Sequence, residues 1–258
     1  MKTIAAVAGI VIKEMYRRKE FYVLLILTVV ITVMLGSVKF FGDDQIVRYL
    51  KWVCLLMIWI SSLVIAISSM ARQIPAEKEQ RTIFPLLAKP ISRPQLLAGK
   101  FLGCWLACGM ALACFYIFFA LLSASRDHGW TVLSYFQAAT LHWAMLGILL
   151  GMVLVGSLVF AAPSSNGTIC FVVAVGILYL GHYLNVVAIR MDEPGRAITY
   201  GIYYVIPHLE LFNVSRRVIH DWPAINWGAY AIALVYAVVY SALLVGAACL
   251  LFRRKALN

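Results

Sequence analysis

Residues Arg72–Lys100 read RQIPAEKEQRTIFPLLAKPISRPQLLAGK, a polar island between the apolar runs Trp52–Met70 and Phe101–Ala124. The island carries six cations (Arg72, Lys78, Arg81, Lys89, Arg93, Lys100), two carboxylates (Glu77, Glu79) and four of the chain's eight prolines. Nearly everything around it is hydrophobic. Of 258 residues, 63% are apolar and 13% charged, where soluble domains carry about 25% charged residues. A chain this apolar cannot cover a water-facing surface, so it reads as a multi-pass membrane protein. The net charge of +11 would suggest nucleic acid in a soluble protein. Here it reads as topology, because basic residues collect on the cytoplasmic side of a membrane protein.

A bilayer core needs about 20 apolar residues per helix. Six runs qualify: Phe21–Val38, Trp52–Met70, Phe101–Ala124, Phe136–Ala162, Thr168–Ile189 and Trp227–Phe252. The expected fold is an all-α membrane protein with six transmembrane helices over residues 21–258. Residues 1–20 precede it. Ile4, Val7, Ala8, Val11, Ile12 and Met15 recur there at helical spacing, with Lys13, Arg17, Arg18 and Lys19 at the end. That pattern predicts an amphipathic helix lying in the interface, the alternative being a simple helical lead into the first span. No cleavable signal peptide is evident.

Orientation follows from the cations. Fourteen of the 22 Lys and Arg residues fall in the N-terminal segment, the 72–100 stretch and the tail Arg253–Lys255. The rule puts both termini and the island in the cytoplasm, which an even number of spans allows. Pro163–Gly167 is then a tight inner turn. The long outer connection 190–226 holds Tyr200, Tyr203, Tyr204, Phe212 and Trp222. It predicts one or two short helices at the membrane surface, as an aromatic anchor or an outer gate.

The island has local structure of its own. Pro75 suits the first position of a helix, with Glu77 and Glu79 in the opening turns where the dipole favours negative charge. Ile83, Leu86 and Leu87 share one face, and Pro85 and Pro90 break the run. Ser92 and Gln95 form a capping box, so span three begins near Arg93 and enters the bilayer near Phe101. The result is a short, bent helix tied to spans two and three, able to transmit a push from a cytoplasmic partner; an ordinary solvated basic loop is the alternative.

Several chemistries find no support. There is no G-x-x-x-x-G-K-[ST], since Gly99-Lys100 is followed by Phe101. There is no H-E-x-x-H, and His208-Leu209-Glu210 is too short a cluster for a zinc protease. Ser61-Ser62 and Ser164-Ser165 lack a nucleophile-elbow setting, and Asn213-Val214-Ser215 fits a glycosylation sequon that is common by chance. The six cysteines all lie in apolar runs and read as small buried residues. Cys104 and Cys108 share a face but have no His or carboxylate nearby, so no metal site is expected. His142, His182 and Asn185 are polar groups inside spans, which are either functional or hydrogen-bonded between helices. The pairs Gly99/Gly103 and Gly147/Gly151 allow close helix packing in lipid.

Three motifs then line up: Glu77-x-Glu79-x-Arg81-Thr82-Ile83, Leu86-Leu87-Ala88-Lys89-Pro90-Ile91-Ser92-Arg93, and Leu96-Leu97-x-Gly99-Lys100-Phe101-Leu102-Gly103. Together they resemble the signature loop of ABC-2 type ABC transporter permeases, in the manner of the NosY-like branch. Many members have glycine where this chain has Arg81. The resemblance implies a bacterial inner-membrane permease subunit that forms a substrate path as a homodimer or heterodimer, with export the commoner direction. It implies two separate ATP-binding subunits holding the ATP and Mg, with no cofactor in this chain. The coupling helix between spans two and three, within the loop 71–100, would dock on them. Glu77, Glu79, Arg81, Thr82, Ile83, Leu86 and Leu87 would make the ATPase contacts, with the N-terminal helix as a second contact. Two other readings stand beside it: a non-transporting membrane anchor for a cytoplasmic ATPase, and a membrane enzyme acting on lipids through His142, His182 or His208. The substrate is not legible.

Overall fold

The structure is a computed structural model, and it describes residues 2–17, 19–37, 43–79, 92–126, 132–160 and 162–254. Among these residues there are helices and connections and no strands. The helices are α1 (Lys2–Tyr16), α2 (Lys19–Ser37), α3 (Asp43–Glu79), α4 (Arg93–Arg126), α5 (Val132–Val159), α6 (Pro163–Arg190), α7 (Gly195–Val205), α8 (Ser215–Ile219) and α9 (Trp227–Arg254). A 3-10 turn at Leu209–Phe212 lies between α7 and α8. Four helices are long and apolar enough to cross a membrane: α3, α4, α5 and α9. Two more, α2 and α6, hold the shorter apolar stretches Phe21–Met34 and Pro163–Tyr179.

The bundle is built around α3 and α5. Of their most apolar windows 72% and 78% is buried, against 39% in α4 and 11% in α9. A helix apolar on every side can serve as a core element, and α5 does so with Leu146, Ile148, Leu149, Leu150, Val153 and Leu154 all fully buried. α9, α3, α4 and α6 all pack on α5, while α2 lies along α3 and touches α4. The outer face of α9 presents Ile232, Val235, Val239 and Leu243 outward.

Glycine sets two helix crossings. A Cβ on Gly99 would stand 2.8 Å from the Val7 Cβ, and one on Gly103 would stand 2.8 Å from the Val11 Cβ and 2.9 Å from the Ala8 carbonyl. The first glycine pair is thus the seat of α1 on α4. The apolar stripe of α1 buries Val7, Ala8, Val11 and Met15 against that seat. The second pair, Gly147 and Gly151, admits Ser241 and Leu244 of α9, the close approach that small residues permit in lipid.

Two local expectations are corrected. Pro75 does not open a new helix: α3 continues through it to Glu79. A mid-helix proline removes one backbone donor, and neighbouring helices can re-satisfy the freed groups. The carbonyl that Pro75 leaves without its helical donor is that of Ala71; two residues on, the buried Lys100 ammonium donates to the Gln73 carbonyl at 2.5 Å. Pro163–Gly167 is not a turn either. Pro163 occupies the first turn of α6 with Ala162 as its N-cap, where its missing N–H is unneeded.

Candidate functional site

The elements that flank the 72–100 stretch meet in a polar junction. Lys100 on α4 is 2% exposed and reaches across to α3. The Gln73 side-chain amide then donates to the Glu14 carboxylate of α1 at 3.4 Å. An ammonium buried at this depth costs several kcal/mol unless partners compensate it, so the junction fixes α1, α3 and α4 to one another. At the start of α4 the Gln95 side chain accepts from the Ser92 backbone N–H at 3.1 Å, as the capping box predicted. Arg93 crosses to α9, donating to the Phe252 carbonyl at 3.2 Å. The N-terminal helix, the base of the island and the end of α9 therefore share one end of the bundle.

Of the proposed contact residues, Glu77 and Glu79 sit on the last turn of α3. Their side chains lie outside the described residues, as do Arg81, Thr82, Ile83, Leu86 and Leu87 together with Pro85 and Pro90. Beside this end, α3 and α6 open a groove of about 770 Å³ lined by Ser68, Arg72, Ser164, Thr168 and apolar neighbours. The Arg72 Nε donates to the Ser68 carbonyl at 3.0 Å, which holds the guanidinium along the α3 wall.

The intramembrane histidine is a packing element. His142 has no exposed surface and stacks on Trp59 at 4.2 Å and 14°. The Ser62 hydroxyl donates to the Trp59 carbonyl at 2.9 Å. A hydroxyl has one proton, so at its 2.8 Å contact with His142 Nε2 it accepts. Nδ1 is then the acceptor facing the Tyr116 hydroxyl at 3.4 Å. A neutral imidazole satisfied from α3 and α4 is an inter-helix bond with no access for a substrate. His182 and Asn185 lie on α6, and their side chains fall outside the described residues. No cluster of metal-binding side chains occurs among the described residues, and none of the six cysteines is in a disulfide.

Stretch 190–226 folds as a cap on the other end. α7, the 3-10 turn and α8 are the short helices expected, and Leu209, Phe212, Val218 and Ile219 are buried beneath them. Two polar ties hold the cap. Lys51, 2% exposed at the start of α3, pairs with both oxygens of Asp221 at 2.8 and 2.9 Å. Gln137 on α5 donates to the Ile225 carbonyl at 3.0 Å and accepts from its N–H at 2.8 Å. A further tie runs to α9, where the His208 backbone N–H donates to the Tyr236 hydroxyl at 3.1 Å, and within the cap His208 pairs with Glu210 at 3.2 Å.

Some structural residues escaped sequence reasoning. Lys51 and Asp221 are far apart in the chain and carry no local signature. Asn166 is wholly buried between α5 and α6, donating to the Val153 carbonyl at 3.1 Å and accepting from the Cys170 thiol at 3.3 Å. Trp105 and Trp143 stack at 4.4 Å and 14°, and each indole N–H donates to the other residue's carbonyl, at 3.0 and 2.9 Å. Both tryptophans stood in recognised spans, but only the α4–α5 crossing makes them a pair.

A bundle of membrane-length apolar helices, braced by polar ties at one end and capped by a folded segment at the other, defines an integral membrane protein. The sequence profile of the family described as ABC-2 family transporter protein matches residues 5–257, and the chain belongs to that family. Members of this family are typically non-catalytic permease components that work with ABC ATPase partners. A comparison with curated proteins gave no match.

Proposed function

We propose that the chain is the permease subunit of an exporter in a bacterial plasma membrane, of the NosY-like kind, with both termini cytoplasmic. It has six spans when α2 and α6 are counted with the four longer helices. Two copies, or this chain and a similar one, enclose the substrate path. Two separate ATP-binding subunits, which hold ATP and Mg, dock on residues 75–89. Glu77, Glu79, Arg81 and Thr82 are the polar contacts there and Ile83, Leu86 and Leu87 the apolar ones, with α1 as a second contact.

The observation that carries this reading is the junction of Lys100, Gln73 and Glu14. A loop transmits force only if its two ends are held by rigid elements. Here both ends, and α1 beside them, are bound into one unit, so a displacement of 75–89 moves α3 and α4 together. The α3–α6 groove beside Arg72 is the part of the path this motion reshapes first. Charge reversal tests the contact. Glu79→Lys is expected to leave membrane insertion intact and to abolish stimulation of the partner ATPase, measured on the co-purified complex in vesicles. Wild-type stimulation in that variant would overturn the docking role.

A further inference from the structure

The face between α4 and α9 carries a groove that neither the docking stretch nor the α3–α6 path uses. Two openings of about 510 Å³ each meet at Ala242. The first lies along the Trp105–Trp143 pair and ends at Thr140 and Tyr230, whose hydroxyls share a hydrogen bond of 2.7 Å. The second follows α9 past Gly246 to Arg253, with Pro94 of α4 opposite. Small residues keep it open: Ala98 and Ala242 line it, and a Cβ on Gly246 would meet nothing within 4 Å.

The groove is apolar along its length and cationic at its mouth. Arg253 is exposed there. Arg93 precedes the lining residue Pro94, and its contacts are with Phe252, the neighbour of Arg253 in the chain: its guanidinium carbon is 5.6 Å from that ring centre and one donor is on that carbonyl. Four more N–H donors remain on an arginine after one is used. Among the described residues lining either opening there is no carboxylate. Ala242 lies about 16 Å along the helix from Arg253, close to half of a hydrocarbon core about 30 Å thick. One leaflet's depth of apolar channel thus ends on fixed positive charge, and basic pockets between transmembrane helices favour anionic headgroups.

We propose that this groove binds one anionic phospholipid. An acyl chain lies along α9 past Pro94 and Ala242 towards Trp105, and the phosphate sits on Arg253 and Arg93. A neutral lipid fits the channel but gains nothing at its mouth. The site requires only that the chain is embedded in a membrane, so it is testable without the ATPase partner.

The purified full-length chain is placed in phosphatidylcholine nanodiscs containing a minor fraction of brominated phosphatidylglycerol or brominated phosphatidylcholine, and tryptophan quenching is measured. Trp105 and Trp143 report the groove, and the exposed Trp52, Trp222 and Trp227 report the surrounding lipid. The wild type should prefer the anionic lipid by about tenfold. Arg253→Gln should cut the preference to about threefold, with Arg93 still in place, and Ala242→Phe, which fills the channel, should reduce quenching by both lipids. Equal quenching by the two lipids in the wild type would overturn the proposal, as would a preference that Arg253→Gln leaves unchanged. Two further results would also overturn it: relief of quenching by glycerol 3-phosphate alone, which would make the site one for a soluble phosphate, or dissociation of a dimer by Ala242→Phe, which would make the groove a subunit interface.

Discussion

Gly156 and Asn166 are a matched pair. A Cβ added to Gly156 would lie 2.1 Å from the Asn166 Oδ1, and that amide is held at both ends by Val153 and Cys170. It cannot swing aside without losing a buried hydrogen bond, worth about 1 kcal/mol net and more if a group is left unpaired. Gly156→Ala should therefore destabilise by about 1–3 kcal/mol, read as a lower melting temperature of the purified protein in detergent. Adding Asn166→Ala should recover part of the loss, because the clash disappears with the amide. A double variant no better than the sum of the singles would show that the two positions do not act on each other. Nothing in the local sequence marks either residue. Asn166 stands just past a proline and reads as turn chemistry, and only the α5–α6 crossing turns it into a buried clamp.

At the scale of elements, legibility follows how local the physics is. The start of α4 could be read from Ser92, Arg93 and Gln95 because a capping box is complete within four residues. The stripe of α1 could be read from its period, but its partner could not, since the seat on α4 depends on two glycines about 90 residues away. Pro75 misled for the opposite reason: its local preference to start a helix is overridden by packing, with Lys100 bonded to the Gln73 carbonyl two residues before it. The glycines give a contrast of sign. Gly103→Ala would drive a Cβ against Val11 and Ala8, which should cost about 1–3 kcal/mol and lift α1 from α4. Gly9→Ala meets nothing within 4 Å and removes a glycine from a helix interior, so it should stabilise by about 0.5–1 kcal/mol. Melting curves of the two variants check both signs, and equal effects would refute the seat.

At the scale of the molecule, α3 is, among the described residues, the one element tied at both ends by a buried lysine that leaves its own helix. At one end Lys100 comes to it from α4; at the other its own Lys51 goes out to Asp221 in the cap. Composition could indicate a membrane bundle, but the cap's attachment rests on a pair distant in the chain, invisible to any window. The two ties should separate in function. Lys100→Met keeps the length of the side chain and removes the charge that joins α3 to α4 beneath the proposed docking stretch. It should lower stimulation of the partner ATPase by about tenfold, a loss of about 1.4 kcal/mol of coupling, while the cap stays folded. Asp221→Asn keeps a residue type that tolerates the φ of 50° found at that position, so it removes only the charge. Lys51 then keeps its burial without its carboxylate, and the cap should loosen by about 1–3 kcal/mol, discounted because Asp221 is 39% exposed. Limited proteolysis within 190–226 measures that loosening, and ATPase stimulation in the same preparation should change less than in Lys100→Met. If Asp221→Asn abolishes stimulation while the cap resists protease as in the wild type, the two ends are not separate devices and α3 works as a single rigid lever.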